Sequence, residues 1–278
     1  MGDSVTMLLV CAGLAMLLAG CAVAWGIRQG RAGWRAWVCY QIARVHRSLL
    51  VSVEHSGTCT IPEAGPAIIV SNHTSPVDPV LLWARHFMHF RRPHLRVIGY
   101  LTAREYFELP GFVNWVCRAM ECIPVDRNGR DMQSVRQALE RLKQGRLLGL
   151  FPEGRLNEET PNDRLLAGDT GVAWLALKAA VPVIPIFIQN APRSGSMVWV
   201  FFRRARVRLI FGQPLDLTPW QGRRSSPELL AEVTDHIMGS LARLGGIRLH
   251  SVCSAPGAVC LTAVSVSAGY GCYAVRVF

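Results

Sequence analysis

The chain has 278 residues, 50% of them hydrophobic, and a mean hydropathy of +0.24. That is enough for one sizeable domain with attachments, and it is too apolar for an ordinary freely soluble enzyme. The 30 lysines and arginines outnumber the 19 acids to give a net charge of +11, which suits anionic lipid headgroups, a phosphorylated substrate or nucleic acid. Nucleic acid falls away, because no recognition module and no aromatic-basic ribonucleoprotein motif is present.

Residues 5–27 carry no charge, and at about 1.5 Å per residue they are long enough to cross a hydrocarbon core of about 30 Å as a transmembrane helix. Arg28, Arg31 and Arg35 follow, against only Asp3 and the amine before the run. The positive-inside bias therefore puts the N-terminus outside and the body on the cytoplasmic side. A cleaved signal peptide is disfavoured, since the run is long and no Lys or Arg precedes it. Leu18-Ala19-Gly20-Cys21 resembles a lipoprotein box, with Cys21 lipidated and the orientation reversed, but it lacks the basic start that such a signal needs. The nine cysteines are odd in number and form no Cys-x-x-Cys, the usage expected of reduced thiols facing the cytosol. Residues 34–50 place Trp34, Trp37, Val38, Ile42, Val45 and Leu49 near helical period, with Arg35, Arg44 and Arg47 between them. The pattern fits a helix lying in the headgroup layer and equally one packed on a domain.

From Ser52 short apolar runs alternate with helical stretches, which predicts an α/β fold, a mixed sheet flanked by helices. Residues 67–70 read as a strand, and Ser75, Pro76 and Asp78 as the start of a helix, a Ser-x-x-acid cap with proline in the first turn. Residues 95–120 read as irregular and apolar, leading into a run at 121–125. A helix is predicted over 131–144 with Gly145 as its stop, a buried strand over 146–151, a helix over 170–180 and a strand over 183–188. Residues 198–202 with 207–211 suggest a hairpin, its turn rich in arginine at 203, 204, 206 and 208. A last amphipathic helix covers 227–244. The expected organisation is a membrane-facing segment at 1–50, a globular domain at 51–246 and a tail at 247–278 to which no role is assigned.

Chemistry concentrates in the strand-to-helix loop. His73 lies there and Asp78 sits five residues on, a separation that brings a carboxylate to one imidazole nitrogen and leaves the other as a general base. Alone, the stretch favours a plain helix cap beside a loop histidine. Three later stretches reverse this: Cys122-Ile123-Pro124-Val125-Asp126-Arg127, then Phe151-Pro152-Glu153-Gly154-Arg155, then Val181-Pro182-Val183-Ile184-Pro185. In that order, with Asn72-His73 and Asp78 before them, they resemble the four motifs of the glycerophospholipid acyltransferases, the family that includes 1-acylglycerol-3-phosphate acyltransferase.

The resemblance implies a membrane-bound transfer of an acyl group from acyl-CoA or acyl-carrier protein to the hydroxyl of a lysophosphatidic acid-type acceptor. His73 is the implied base and Asp78 its partner. Arg127 binds the acceptor phosphate, and Glu153 accepts from an acceptor hydroxyl or orients Arg127. Gly154 lets the backbone approach the ligand. Position 155 departs from the commoner Phe-Pro-Glu-Gly-Thr form, and Arg155 supplies a second cation. The fourth motif reads as a buried strand. Glycerol-3-phosphate or another lysolipid is an alternative acceptor, and a silent protein keeping the fold to bind lipid is an alternative class. The implied partners are anionic membrane lipid, the acceptor and the acyl donor. No pattern for a metal or an organic cofactor is present, His86, His89 and His94 reading as solvated or packed.

Overall fold

The computed structural model describes residues 33–89, 96–126, 131–158 and 163–249, with positions 7, 10, 13, 14, 16, 17, 20, 21, 23 and 24 before them. Those ten positions are helical and exposed. Among the described residues no helix is long and apolar enough to cross a membrane. The expected transmembrane helix is therefore not supported, and most of the run that carried it lies outside the described residues.

The chain continues as α1 (Gly33–Leu49), β1 (Val51–Ser56), β2 (Ala67–Ser71), α2 (Asp78–His89), β3 (Ile98–Ala103), α3 (Arg104–Glu108), α4 (Phe112–Ala119) and β4 (Ile123–Val125). It then forms α5 (Met132–Lys143), β5 (Leu147–Leu150), β6 (Arg164–Leu165), α6 (Gly171–Ala179), β7 (Val183–Gln189), β8 (Ala205–Phe211), α7 (Pro227–Gly245) and β9 (Arg248–Leu249). A seven-stranded sheet runs in the order β1-β8-β7-β2-β5-β3-β4. Every neighbouring pair is parallel except β7 with β8, which makes the sheet mixed as expected.

The central strands are buried on both faces, hence their unbroken apolar runs, Ala-Ile-Ile-Val in β2 and Val-Ile-Pro-Ile-Phe-Ile in β7. Alternation divides their side chains between two cores. Ala67 and Ile69 of β2 join Ile184 and Ile186 of β7 beneath α1 and α2. Ile68 and Val70 face the other way, onto Val135 and Leu142 of α5, Ala173 and Ala176 of α6, and Ile237 and Leu241 of α7. The fourth motif is thus a structural strand: Pro182 O accepts from Ile68 N at 2.9 Å, and Ile184 pairs with Ile69 in the ladder.

Two expectations are corrected. Residues 95–120 are not irregular but hold β3, α3 and α4. The strand signal was broken by Gly99, which is there because an added Cβ would lie 2.8 Å from Glu121 O. The hairpin at 198–211 is instead a 3₁₀ turn at Trp199–Phe202 followed by β8, whose antiparallel partner is β7. In α1 the domain-facing residues are the small ones, Ala36, Cys39 and Ala43, while Trp34, Ile42, Val45 and Leu49 stay exposed. The tail is described only to Leu249, where β9 pairs with β6. Among the described residues Cys21, Cys39, Cys59, Cys117 and Cys122 form no disulfide.

Tyr100 of β3 lies opposite Gly149 of β5 in the ladder, and a Cβ on Gly149 would stand 2.2 Å from Tyr100 Cε1. The ring occupies the space that a side chain would take. Gly149→Ala is expected to destabilise the fold by about 2 kcal/mol or more through overpacking, measured by urea unfolding; an unchanged midpoint would contradict this packing.

Candidate active site

The site begins where β2 ends. Asn72 turns its amide sideways to β7, with Nδ2 donating to Ile188 O at 2.9 Å and Oδ1 accepting from Ile188 N at 2.7 Å. These two bonds take the place of the next ladder rung, so the backbone leaves the sheet without orphaning buried β7 groups. His73 is thereby lifted off the C-terminal edge of a central strand, the position at which ligands bind in open α/β sheets.

The loop then folds over the start of α2. Asp78 is fully buried, and its Oδ2 accepts from Thr74 N at 2.7 Å, from Ser75 N at 2.8 Å and, at 3.1 Å, faces His73 Nδ1. The bond to Ser75 N is the acidic half of a capping box. The serine half differs from expectation: Ser75 Oγ donates to Pro192 O at 2.6 Å and only weakly accepts from Val77 N at 3.3 Å. Asp78 Oδ1 is also buried and accepts no hydrogen bond from the described residues. With a carboxylate oxygen opposite Nδ1, the imidazole carries its hydrogen there, and Nε2 is left as an acceptor. The His73 side chain keeps 19% of its surface exposed, so the ring is reachable.

The turn after β5 encloses this loop from the other side. Phe151 stacks on the imidazole, ring centroids 4.0 Å apart at 15°, and Tyr100 stacks on Phe151 at 5.5 Å and 10°. Tyr100 Oη donates to Pro79 O at 3.3 Å. Burial, then Cys122 and Asp78, push its hydroxyl well above the usual range, so it stays protonated. Glu153 is buried, with Oε1 accepting from His73 N and Oε2 from Leu166 N, each at 2.9 Å. Burial raises its carboxyl above the ordinary value, opposed by those two amides. Gly154 takes φ 65°, the left-handed conformation that closes the turn, with its N–H on Phe151 O at 3.0 Å. Asn157 N donates to His73 O at 2.7 Å. Arg155, midway along this turn, is exposed and makes no hydrogen bond or ion pair with the described residues.

The structure therefore brings together His73, Asp78, Glu153 and Gly154, with Arg155 at the rim. Arg127 lies outside the described residues. The described residues on either side of it are joined, Asp126 N donating to Asp131 Oδ2 at 3.1 Å, and Arg104 makes a two-pronged contact with Asp126. Asn72, Tyr100, Phe151 and Asn157 were not foreseen as parts of the site. Asn72 and Phe151 stand inside the recognisable motifs, whereas nothing local marks Tyr100. Among the described residues no three His, Cys, Asp or Glu side chains are grouped to share a metal. The side chains of His86 and His89, and all of His94, lie outside the described set.

Residues 52–189 match the family model described as Acyltransferase. The 1-acyl-sn-glycerol-3-phosphate acyltransferase of Bacillus subtilis is 25% identical over 71% of this chain and 90% of its own length. The N-acylphosphatidylethanolamine synthase of Arabidopsis thaliana is 34% identical over 56% of this chain and 57% of its own length. Among solved structures, the 1-acyl-sn-glycerophosphate (LPA) acyltransferase of Thermotoga maritima superposes with a TM-score of 0.56 at 25% identity, over 76% of this chain and 81% of that one. Residues 52–189 take in the His73–Asp78 loop, the 151–157 turn and strands β2 to β5 and β7 of the sheet that carries them: the chain belongs to the acyltransferase family that includes the 1-acyl-sn-glycerol-3-phosphate acyltransferases.

Proposed function

We propose that the protein is a membrane-associated O-acyltransferase that moves a fatty acyl group from acyl-CoA or acyl-carrier protein to the free hydroxyl of 1-acylglycerol-3-phosphate, giving phosphatidic acid. The observation that carries this reading is the 3.1 Å contact of His73 Nδ1 with buried Asp78, which leaves Nε2 as a base at the open end of a strand. Nε2 removes the acceptor's proton as its oxygen attacks the thioester carbonyl. The imidazolium so formed faces the Asp78 carboxylate, and its Nε2 proton passes to the departing thiolate as the C–S bond breaks. No serine need be acylated, because the acceptor is itself the nucleophile.

Arg155, exposed and unpaired among the described residues, is the cation we assign to the acceptor phosphate, with Arg127 as its companion. Glu153 has both oxygens committed to backbone amides, which favours a positioning role over contact with the acceptor. The activities for which the Bacillus and Thermotoga relatives are named support the lysophosphatidate acceptor, and the Arabidopsis relative keeps another phospholipid acceptor as the second reading.

Membrane association is supported by α1. Its exposed stripe of Trp34, Ile42, Val45 and Leu49 lies roughly 130° around the helix from Ala36, Cys39 and Ala43. A helix that seats its small residues on the domain and turns its large ones outward suits a headgroup layer. We assign the catalytic body to the cytoplasmic side on the cysteine usage, nine residues, an odd number, with no Cys-x-x-Cys.

Three measurements test the assignment on membranes or purified protein with labelled acyl donor and several lysolipids. His73→Ala is expected to lower transfer by roughly 10² to 10⁴-fold while the protein still folds; undiminished transfer would end the dyad mechanism, and no transfer by the wild type would leave a silent lipid-binding protein. Glu153→Gln replaces one acceptor oxygen by an NH₂ group facing a backbone N–H, so kcat is expected to fall about tenfold or more with little change in acceptor KM. A raised KM at constant kcat would instead place Glu153 on the acceptor. Arg155→Ala is expected to raise KM for lysophosphatidate by roughly tenfold or more and to spare kcat; an unaltered KM removes Arg155 from the phosphate site.

A further inference from the structure

The segment at residues 196–204, between β7 and β8, keeps its large apolar side chains out of the core. Met197, Val198, Trp199 and Phe202 are 45%, 66%, 68% and 62% exposed. This is not a loose loop. Val200 in its middle is fully buried, Val200 N donates to Ser196 O at 3.3 Å, Phe201 N to Val198 O at 3.2 Å, and Arg203 N to Val200 O at 3.3 Å. A 3₁₀ turn anchored on Val200 therefore holds Trp199 and Phe202 outward as a pair, ring centroids 5.7 Å apart.

The turn continues the outward face of α1. His46 Nε2 donates to Phe201 O at 2.7 Å, and the two rings are 6.3 Å apart. At the other end of α1, Trp34 lies 6.2 Å from Trp115, which is 6.1 Å from the exposed Phe112. Contacts thus link the tip of α4, α1 and the 196–204 turn, each of which carries exposed apolar side chains. Exposed Arg44, Arg203 and Arg204 lie on these segments, and none of these arginines faces an acid among the described residues. A second copy of the chain would set like charges against these arginines, whereas an anionic leaflet offers apolar depth and negative charge together.

We propose that the 196–204 turn is a second interfacial anchor, Trp199 and Phe202 entering an anionic phospholipid leaflet and Arg203 and Arg204 meeting its phosphates. The inference rests on the membrane acyltransferase reading and names how the body, beyond α1, meets the bilayer. Its location matters to the site. The strand leading into the turn holds Asn72 through Ile188, and Pro192 O receives Ser75 Oγ, so the anchor and the His73 loop are joined by one short stretch of chain. Seated this way, the rim of the site stands at the lipid surface, and an acceptor reaches it without leaving the leaflet.

The test compares the full chain with its W199S/F202S variant by sedimentation with phosphatidylcholine vesicles containing phosphatidylglycerol. The variant is expected to lose roughly tenfold or more in vesicle partitioning. W199F is expected to lose part of the tryptophan emission that brominated phospholipid quenches, the rest belonging to Trp34 of α1. Acylation of a short-chain, water-soluble lysophosphatidate should stay within about twofold in the double variant while acylation of vesicle-borne acceptor falls. Equal partitioning of wild type and double variant overturns the proposal, as does a variant whose only change is loss of self-association. Should the wild type acylate neither acceptor, the acyltransferase assignment fails, while the partitioning data still decide the anchor.

Discussion

The site depends on how the chain leaves its central strand. A backbone that departs from the middle of a buried parallel sheet abandons hydrogen-bond partners on its neighbours, and each unpaired group costs about 1–3 kcal/mol. Asn72 removes that cost by giving Ile188 both an acceptor and a donor from one side chain. The next residue is then free of the ladder yet fixed in position, and His73 is that residue. Aspartate or leucine at position 72 supplies at most half of the pairing, so the neighbour preceding the base is as constrained chemically as the base itself.

Around that exit the loop is held on every side by different means. Asp78 draws three donors onto one oxygen, Glu153 and Asn157 take the amide and carbonyl of His73, and the Phe151 and Tyr100 rings fix the plane of the imidazole. Backbone, ring plane and tautomer are thus set by separate contacts. Such preorganisation lets a base act without reorganising as charge develops. The column of rings also reaches the core, since Tyr100 rests on Gly149, so packing of β3 on β5 is coupled to the orientation of the reacting ring.

Much of this was legible beforehand, and the reasons are physical. β2, β5 and β7 are buried on both faces, so their apolar runs are continuous; α5 and α7 start at Asp131 and Ser226, whose side chains cap the first turn, and stop at the left-handed Gly145 and Gly246. The His73–Asp78 contact was readable because both partners lie within one loop and one helical turn. β3 was missed because its glycine answers to a distant carbonyl, and the supposed hairpin because Trp199 and Phe202 look like strand residues while standing outside the core. Glu153 drew a substrate role from the motif, but its partners are the amides of His73 and Leu166, far apart in the chain. Contacts of that kind have no local signature.

Asp78 Oδ1 is sealed from solvent and takes no hydrogen bond from the described residues. An anion kept in a medium of low polarity weakens the resting protein, since burying charge without full compensation is unfavourable. The same uncompensated field is strongest when a positive charge arises on the adjoining ring. Resting discomfort and help to the fleeting cation are two faces of one arrangement, so at this position a gain in robustness and a gain in turnover pull in opposite directions.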